Sequence, residues 1–288
     1  ANLAKEYHTA TIMVTHQREL AYQFCTKVLT LEDGELVVQK NESLKTFNFN
    51  HLSNKKKEIF FQLKNVTNHY KDEDVILQDL TLDIPKYEVT GIIGHSGAGK
   101  TTLAKILSGF IPYEGRIKIE GKELREVLAY EKQSYYRRVQ YLFQNSLLAF
   151  NPNQTILKSL EEPLRFMRKI KKHPERIQMI QDLFIKLELE FDWLEKYPHQ
   201  LSGGQCQRCA IARAILAQPE CLICDEITSS LDDVNQEKVI KVLQKVQEET
   251  NMTIVLISHN QTLIEAICSN VIVLKEGQLM ETIDLVEN

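Results

Sequence analysis

Eight residues constrain this chain more than any others: Gly94-His95-Ser96-Gly97-Ala98-Gly99-Lys100-Thr101. They satisfy G-x-x-x-x-G-K-[ST], the spacing of a phosphate-binding loop. Gly94, Gly97 and Gly99, with Ser96 between them, let the backbone wrap an anion so that successive N–H groups point inward. Lys100 offers a point charge to the outer phosphates. The Thr101 hydroxyl suits Mg²⁺, and Thr102 is in reach of an inner phosphate. The context is right on both sides. Tyr87 to Ile93, rich in Val and Ile, reads as a strand. Leu103, Ile106 and Leu107 then fall at helical spacing, with Gly109 as a C-terminal stop. Strand, loop and helix in that order place phosphates at a helix N-terminus, where the dipole favours anions. A chance glycine-rich turn would not carry both flanks, and the pattern predicts an α/β fold.

A second half-site follows Pro219. Cys221-Leu222-Ile223-Cys224 is a short apolar run readable as a buried strand, and it ends in Asp225-Glu226. Acids at the C-terminal end of such a strand sit where parallel sheets bind ligands. Asp225 would hold Mg²⁺, and Glu226 would polarise an attacking water as general base. An Asp-Glu pair after an apolar run usually marks only a strand end; the phosphate loop is what gives it meaning. The cysteines invite a zinc reading, through Cys206-x-x-Cys209 and Cys221-x-x-Cys224. Positions three apart on a strand face opposite sides, so they are expected to be small buried apolar residues of a reducing interior.

Composition excludes some partners. With 35 Lys and Arg against 39 Asp and Glu, the net charge is -4, so nucleic acid is not an expected partner. No apolar run approaches the roughly 20 residues of a membrane helix.

The two ends of the chain resemble each other. A shift of 243 residues aligns Ala10–Gln39 with Thr253–Thr282 without a gap. His16 falls on His259, Leu20 on Leu263, Cys25 on Cys268 and Val28 on Val271. Leu31 falls on Leu274, Gly34 on Gly277 and Leu36 on Leu279. Both copies read as strand, His, helix, strand and a Gly-centred turn. Residues 1–40 are therefore expected to be the closing piece of a preceding, similar domain whose front end lies outside this chain. The Ala at position 1 suggests a processed, trimmed or fragmentary start. Residues 41–58, polar and ending near Lys55–Lys57, have linker composition, and 59–288 would form the complete domain.

Leu201-Ser202-Gly203-Gly204-Gln205 resembles the signature motif of the ABC ATPases, and Cys206 to Arg213 resembles the helix that follows it. Other family motifs stand in the family's order. Tyr70 matches the aromatic that stacks on adenine, Gln144 the Q-loop glutamine that reaches metal and water, and Ser230-Leu231-Asp232 the D-loop. His259 matches the switch histidine at the γ-phosphate. Each has a plain alternative: Tyr70 as a strand aromatic, His259 as a structural histidine, Asp232 as a helix cap. Ile227 departs from the family, which has Pro there. The resemblance implies a P-loop NTPase with a RecA-like, mainly parallel sheet, an antiparallel β edge and an inserted helical subdomain at about 145–200.

It also implies a mechanism. ATP with Mg²⁺ would be sandwiched between two such domains, from a tandem copy or a dimer. Leu201–Gln205 would seal the partner's ATP, while Lys100 and Glu226 serve their own. Phe143–Pro152 and Glu162-Pro163-Leu164 look like the ATPases of oligopeptide, dipeptide and nickel importers. That likeness implies permease subunits, an extracellular solute-binding protein and a peripheral seat on the cytoplasmic face of the membrane. A soluble ABC ATPase acting on ribosomes or DNA is the alternative, disfavoured by the short linker and the lack of a long coiled-coil insertion. A binding-only domain is disfavoured by the presence of Lys100, Asp225, Glu226 and His259, and a kinase by the signature motif.

Overall fold

The computed structural model describes residues 28–32, 35–39, 57–70, 74–229 and 231–285. The chain divides into two compact units, Ala1–Asn48 and Phe49–Asn288. In the first, β1 (Val28–Glu32) and β2 (Glu35–Gln39) pair antiparallel, with Leu31 opposite Leu36 and Glu32 opposite Glu35. The expected strand and helix before β1 and nearly all of the linker lie outside the described residues.

The second unit begins with a long antiparallel pair, β3 (Ile59–Tyr70) and β4 (Asp74–Pro85). After a turn come β5 (Val89–Ile93), the phosphate loop and α1 (Lys100–Leu107). The strand starts two residues later than its composition suggests, because Tyr87 takes a left-handed φ of 65° in that turn. Gly109 ends α1 as expected: its N–H reaches Ile106 O at 2.9 Å, and Phe110 N–H reaches Lys105 O at 2.9 Å. β6 (Glu114–Ile119) and β7 (Lys122–Glu123) complete a four-stranded antiparallel sheet ordered β4-β3-β6-β7. The antiparallel part is thus a sheet of its own.

Two short helices, α2 (Leu124–Tyr130) and α3 (Lys132–Arg138), lead to β8 (Val139–Leu142). The inserted helical region follows. α4 (Ile156–Glu162) runs into a π-turn over Pro163–Met167, and α5 covers His173–Lys186. The π-turn has a local cause. Pro163 has no N–H to give the carbonyl of Ser159 four residues back. Arg213 supplies that bond instead, from Nε to Ser159 O at 3.2 Å, while its other arm holds Glu162 at 2.8 Å. α6 (Gly203–Leu216), which carries Arg213, is thereby pinned to the insertion.

The chain then lays down β9 (Cys221–Asp225), α7 (Asp233–Thr250), β10 (Thr253–Ile257), α8 (Gln261–Ile267), β11 (Asn270–Lys275) and β12 (Gln278–Asp284). The larger sheet is ordered β12-β11-β5-β10-β9-β8, parallel throughout except for β12. β9 and β10 are buried at every position, as continuous apolar runs in a doubly covered parallel sheet must be. One face meets α1 and the antiparallel sheet through Ile223, Val255 and Ile257. The other meets α6, α7, α8 and the helical insertion through Leu222, Cys224, Ile254 and Leu256. Cys221 and Cys224 enter opposite cores, as strand alternation requires. Lys57 is tied into this unit, with its Nζ 3.0 Å from Glu88 and 3.1 Å from Asp284. Among the described residues no helix is long and apolar enough to cross a membrane.

Candidate nucleotide-binding and hydrolysis site

The loop after β5 closes tightly on its neighbours. A Cβ at Gly94 would stand 2.3 Å from the backbone Leu274 O, and Gly99 takes a left-handed φ of 92° with Ile76 O 3.1 Å from where a Cβ would stand, so both places favour glycine. Ser96 and Gly97 are exposed at the loop's crest. Lys100, only 5% exposed, turns back over the loop and donates to Gly94 O at 2.8 Å and His95 O at 3.0 Å. Burial lowers its pKa from the ordinary lysine value, against the pull of Glu226 and Asp225. Thr101 and Thr102 occupy the first turn of α1, half-buried.

The end of β9 comes to this loop. Thr101 Oγ1 donates to Asp225 Oδ1 at 3.0 Å, joining residues 124 positions apart. Asp225 is 5% exposed, and its two described hydrogen-bond partners are hydroxyls, those of Thr101 and Tyr141. A buried carboxylate beside a threonine hydroxyl is an oxygen-donor set that suits a hard divalent cation.

Glu226 follows at a left-handed φ of 50°, a strained backbone position for a residue with a Cβ. Its N–H is held by Ile257 O at 3.1 Å, at the end of the neighbouring strand β10. The carboxylate meets two of the other expected residues. His259 Nε2 lies 2.5 Å from Oε1, and Gln144 Nε2 donates to Oε2 at 3.1 Å. Gln144 donates equally to Ser229 Oγ, whose hydroxyl bonds to Glu226 O at 2.9 Å. Lys100, Thr101, Gln144, Asp225, Glu226 and His259 thus converge on one site, drawn from four segments of chain.

The signature segment stands at the start of α6. Ser202 is its N-cap: Gln205 N–H reaches Ser202 Oγ at 3.3 Å, and Ser202 N–H reaches Gln205 Oε1 at 2.9 Å. Ser202 and Gly203 are exposed, Leu201 and Gln205 half-buried and Gly204 buried. Gly204 lies against Asn235, where a Cβ would be 2.8 Å from Oδ1. Asn235 in turn bonds Asp232 through both its backbone and its side chain at 2.8 Å, so Asp232 does cap α7. Leu231 is half-buried, and its carbonyl accepts from Gln236 Nε2 at 2.9 Å. Ser230 lies outside the described residues. Tyr70 ends β3, and its side chain is likewise outside them.

Sequence reading missed Tyr141, Ser229 and Asn235. Tyr141 touches the site only because β8 lies beside β9, a pairing no local pattern reveals.

The family model described as ABC transporter matches residues 77–229, more than half of the chain. The nickel import ATP-binding protein NikE of Shigella boydii serotype 4 is 36% identical over 208 residues, 72% of this chain and 77% of that protein. The NikE of Escherichia coli K12 matches to the same extent. Among solved structures, the ATP-binding cassette MJ0796, a dimer in a post-hydrolysis state bound to ADP and Pi, superimposes with a TM-score of 0.71. It is 31% identical and covers 79% of this chain and all of that one. The cbiO1 protein of Clostridium perfringens, part of the cbiONQ transporter complex, has a TM-score of 0.69 at 24% identity, over 79% and 89% of the two chains, and shares the fold. The chain belongs to the ABC transporter family and carries its ATP-binding, ATP-hydrolysing domain.

Proposed function

We propose that this ATPase powers a membrane importer for a nickel complex or a small peptide, working as one half of an ATP sandwich. The observation that carries the reading is the convergence of Asp225 on Thr101 at 3.0 Å and of His259 and Gln144 on Glu226 at 2.5 and 3.1 Å. The phosphate loop, Gly94 to Thr101 with Thr102, holds the triphosphate, and Lys100 gives up its loop carbonyls for the outer phosphates. Thr101, Asp225 and Gln144 are the metal-side residues. Mg²⁺, when bound, supplies charge neutralisation at the β- and γ-phosphates. The Glu226 carboxylate takes a proton from water as the water oxygen attacks the γ-phosphorus, and ADP leaves with the bridging oxygen. His259 is read as the γ-phosphate contact and Tyr70 as the aromatic that stacks on adenine.

Ser202, Gly203 and Gly204 would seal the ATP of a second domain through the N–H groups of a helix terminus. Residues 1–40 are read as the end of such a domain, with 41–58 as linker and 59–288 as the complete domain. In support, the Leu31–Leu36 and Glu32–Glu35 pairs of the first hairpin recur, 243 residues on, as Leu274–Leu279 and Lys275–Gln278. Likeness to the nickel import proteins and the sequence around Gln144 support the importer branch. Permease subunits, a solute-binding protein and a seat on the cytoplasmic membrane face go with that branch.

The test is Glu226→Gln. Turnover should drop on the order of 10²- to 10⁴-fold, with affinity for fluorescent ATP analogues unchanged and an ATP-dependent dimer accumulating in gel filtration. Unimpaired turnover would remove Glu226 from the base role. Uptake of radiolabelled nickel against labelled dipeptide, in cells with and without the gene, separates the two cargoes.

A further inference from the structure

We propose that Tyr141 is a positioning residue for the metal-side carboxylate of Asp225, fixing the plane in which that carboxylate meets the cation; this rests on the reading of Asp225 as a Mg²⁺ residue. The placement follows from strand register. Tyr141 in β8 pairs with Ile223 in β9, so Asp225, two residues further on, shares its sheet face. The phenol is long enough to cover that diagonal, and Tyr141 Oη donates to Asp225 Oδ2 at 2.5 Å. Thr101 Oγ1 holds the other oxygen, Oδ1, at 3.0 Å. A carboxylate held at one oxygen can rotate about its terminal bond; held at both, it cannot. The carboxylate plane is thereby fixed, with Oδ1 at Thr101, the last residue of the phosphate loop, and Oδ2 at Tyr141.

The ring is itself fixed. It meets Phe143 edge-on at 4.8 Å and Phe110 at 5.4 Å. Phe143 immediately precedes Gln144, and Phe110 follows the turn that ends α1, so the ring is braced by the residue before Gln144 and by the end of the helix that begins with Lys100 and Thr101. Hydrogen-bonded partners behind a metal ligand commonly carry about 10- to 100-fold in metal affinity. The low end is expected here, because the phosphates and Thr101 share the ion.

Tyr141→Phe keeps the ring and its aromatic contacts and removes only the hydroxyl. Binding of Mn²⁺ in the presence of a non-hydrolysable ATP analogue, followed by electron paramagnetic resonance, should weaken about tenfold. Affinity for the same analogue in EDTA should stay within about twofold, which a general loss of structure would not allow. Asp225→Asn is the parallel control. If it abolishes Mn²⁺ binding while Tyr141→Phe binds like wild type, the inference about Tyr141 is overturned and the Asp225 reading stands. If Asp225→Asn binds Mn²⁺ normally, both fall. Should the Phe variant misfold, 3-fluorotyrosine placed at 141 in the otherwise native chain gives a second readout. Its fluorine resonance should shift when Mg²⁺ joins the nucleotide complex, and an unmoved resonance would overturn the proposal.

Discussion

The phosphate loop and the signature segment both place glycines at the N-terminus of a helix, yet they are built in opposite ways. The loop is gripped from behind. Leu274 O stands where a Cβ of Gly94 would go, and the functional groups it gathers are buried, with Lys100 and Asp225 each 5% exposed. The signature segment is presented outward. Ser202 and Gly203 face solvent, and the grip comes from one side only, through Asn235 behind Gly204. A pocket that must hold charge needs desolvation and preorganised donors. A surface that must close on another body needs exposed donors on a rigid support. The contrast is what the proposed site, shared between two domains, would require.

Mutations on the two sides should therefore fail differently. The largest effect is expected at Lys100. Removing a buried, hydrogen-bonded charge that faces phosphate costs on the order of 10²- to 10³-fold in affinity. Lys100→Ala should lose binding of a fluorescent ATP analogue by titration, in single chains as well as in any assembly. Retained affinity would erase the distinction between the two halves.

The next effect lies on the outward side. Gly204→Ala puts a methyl against Asn235, with contacts of 2.8 Å to Oδ1 and 3.1 Å to Cβ, so the whole side chain must move. Asn235 holds Asp232, so both the signature turn and the D-loop shift. Displacements of this kind cost about 10- to 100-fold in turnover. Steady-state phosphate release should fall by that factor, with single-chain affinity for the analogue unchanged. A matching loss of affinity would mean that the two segments are not separable.

How far these halves were legible in the sequence depended on how local their physics is. The phosphate loop and the end of α1 at Gly109 are set by residues within seven positions of one another, so spacing alone carries them, whereas Leu201–Gln205 is legible only by resemblance and the Ser202–Gln205 cap of α6 only in the structure. Asp225 and Glu226 were found because a buried strand announces its own end. Tyr141, Ser229 and Asn235 act across strands or between helices, and single-sequence patterns carry no trace of such partners. The repeat shows the same limit. Its hairpin register recurs 243 residues on, but among the described residues Leu29 is 46% exposed while Ile272, in a strand that pairs with both β5 and β12, is fully buried. Ile227, the departure from the family's Pro, is 1% exposed in the core beneath α6 and α7. An apolar side chain at that place is explained by packing, which spacing could not foresee.

The smallest effect is expected at Ser202, and it sharpens the comparison most finely. Ser202 serves α6 as a cap and is exposed at the same time, so its two roles can be told apart by size. Ser202→Ala removes the acceptor for Gln205 N–H, while the return bond from Ser202 N–H to Gln205 Oε1 remains possible. Loss of such a cap costs about 1 kcal/mol. For a domain of this size the melting temperature should fall by about 2–4 °C in calorimetry without nucleotide. If Ser202 were only a cap, turnover at a temperature well below melting would be unaltered. If its hydroxyl also meets the partner's phosphate, turnover should fall several-fold with the same small thermal shift. Ser202→Asp makes the final discrimination, since aspartate caps a helix as well as serine does. It should restore the melting temperature and, by placing a negative charge against phosphate, depress turnover further.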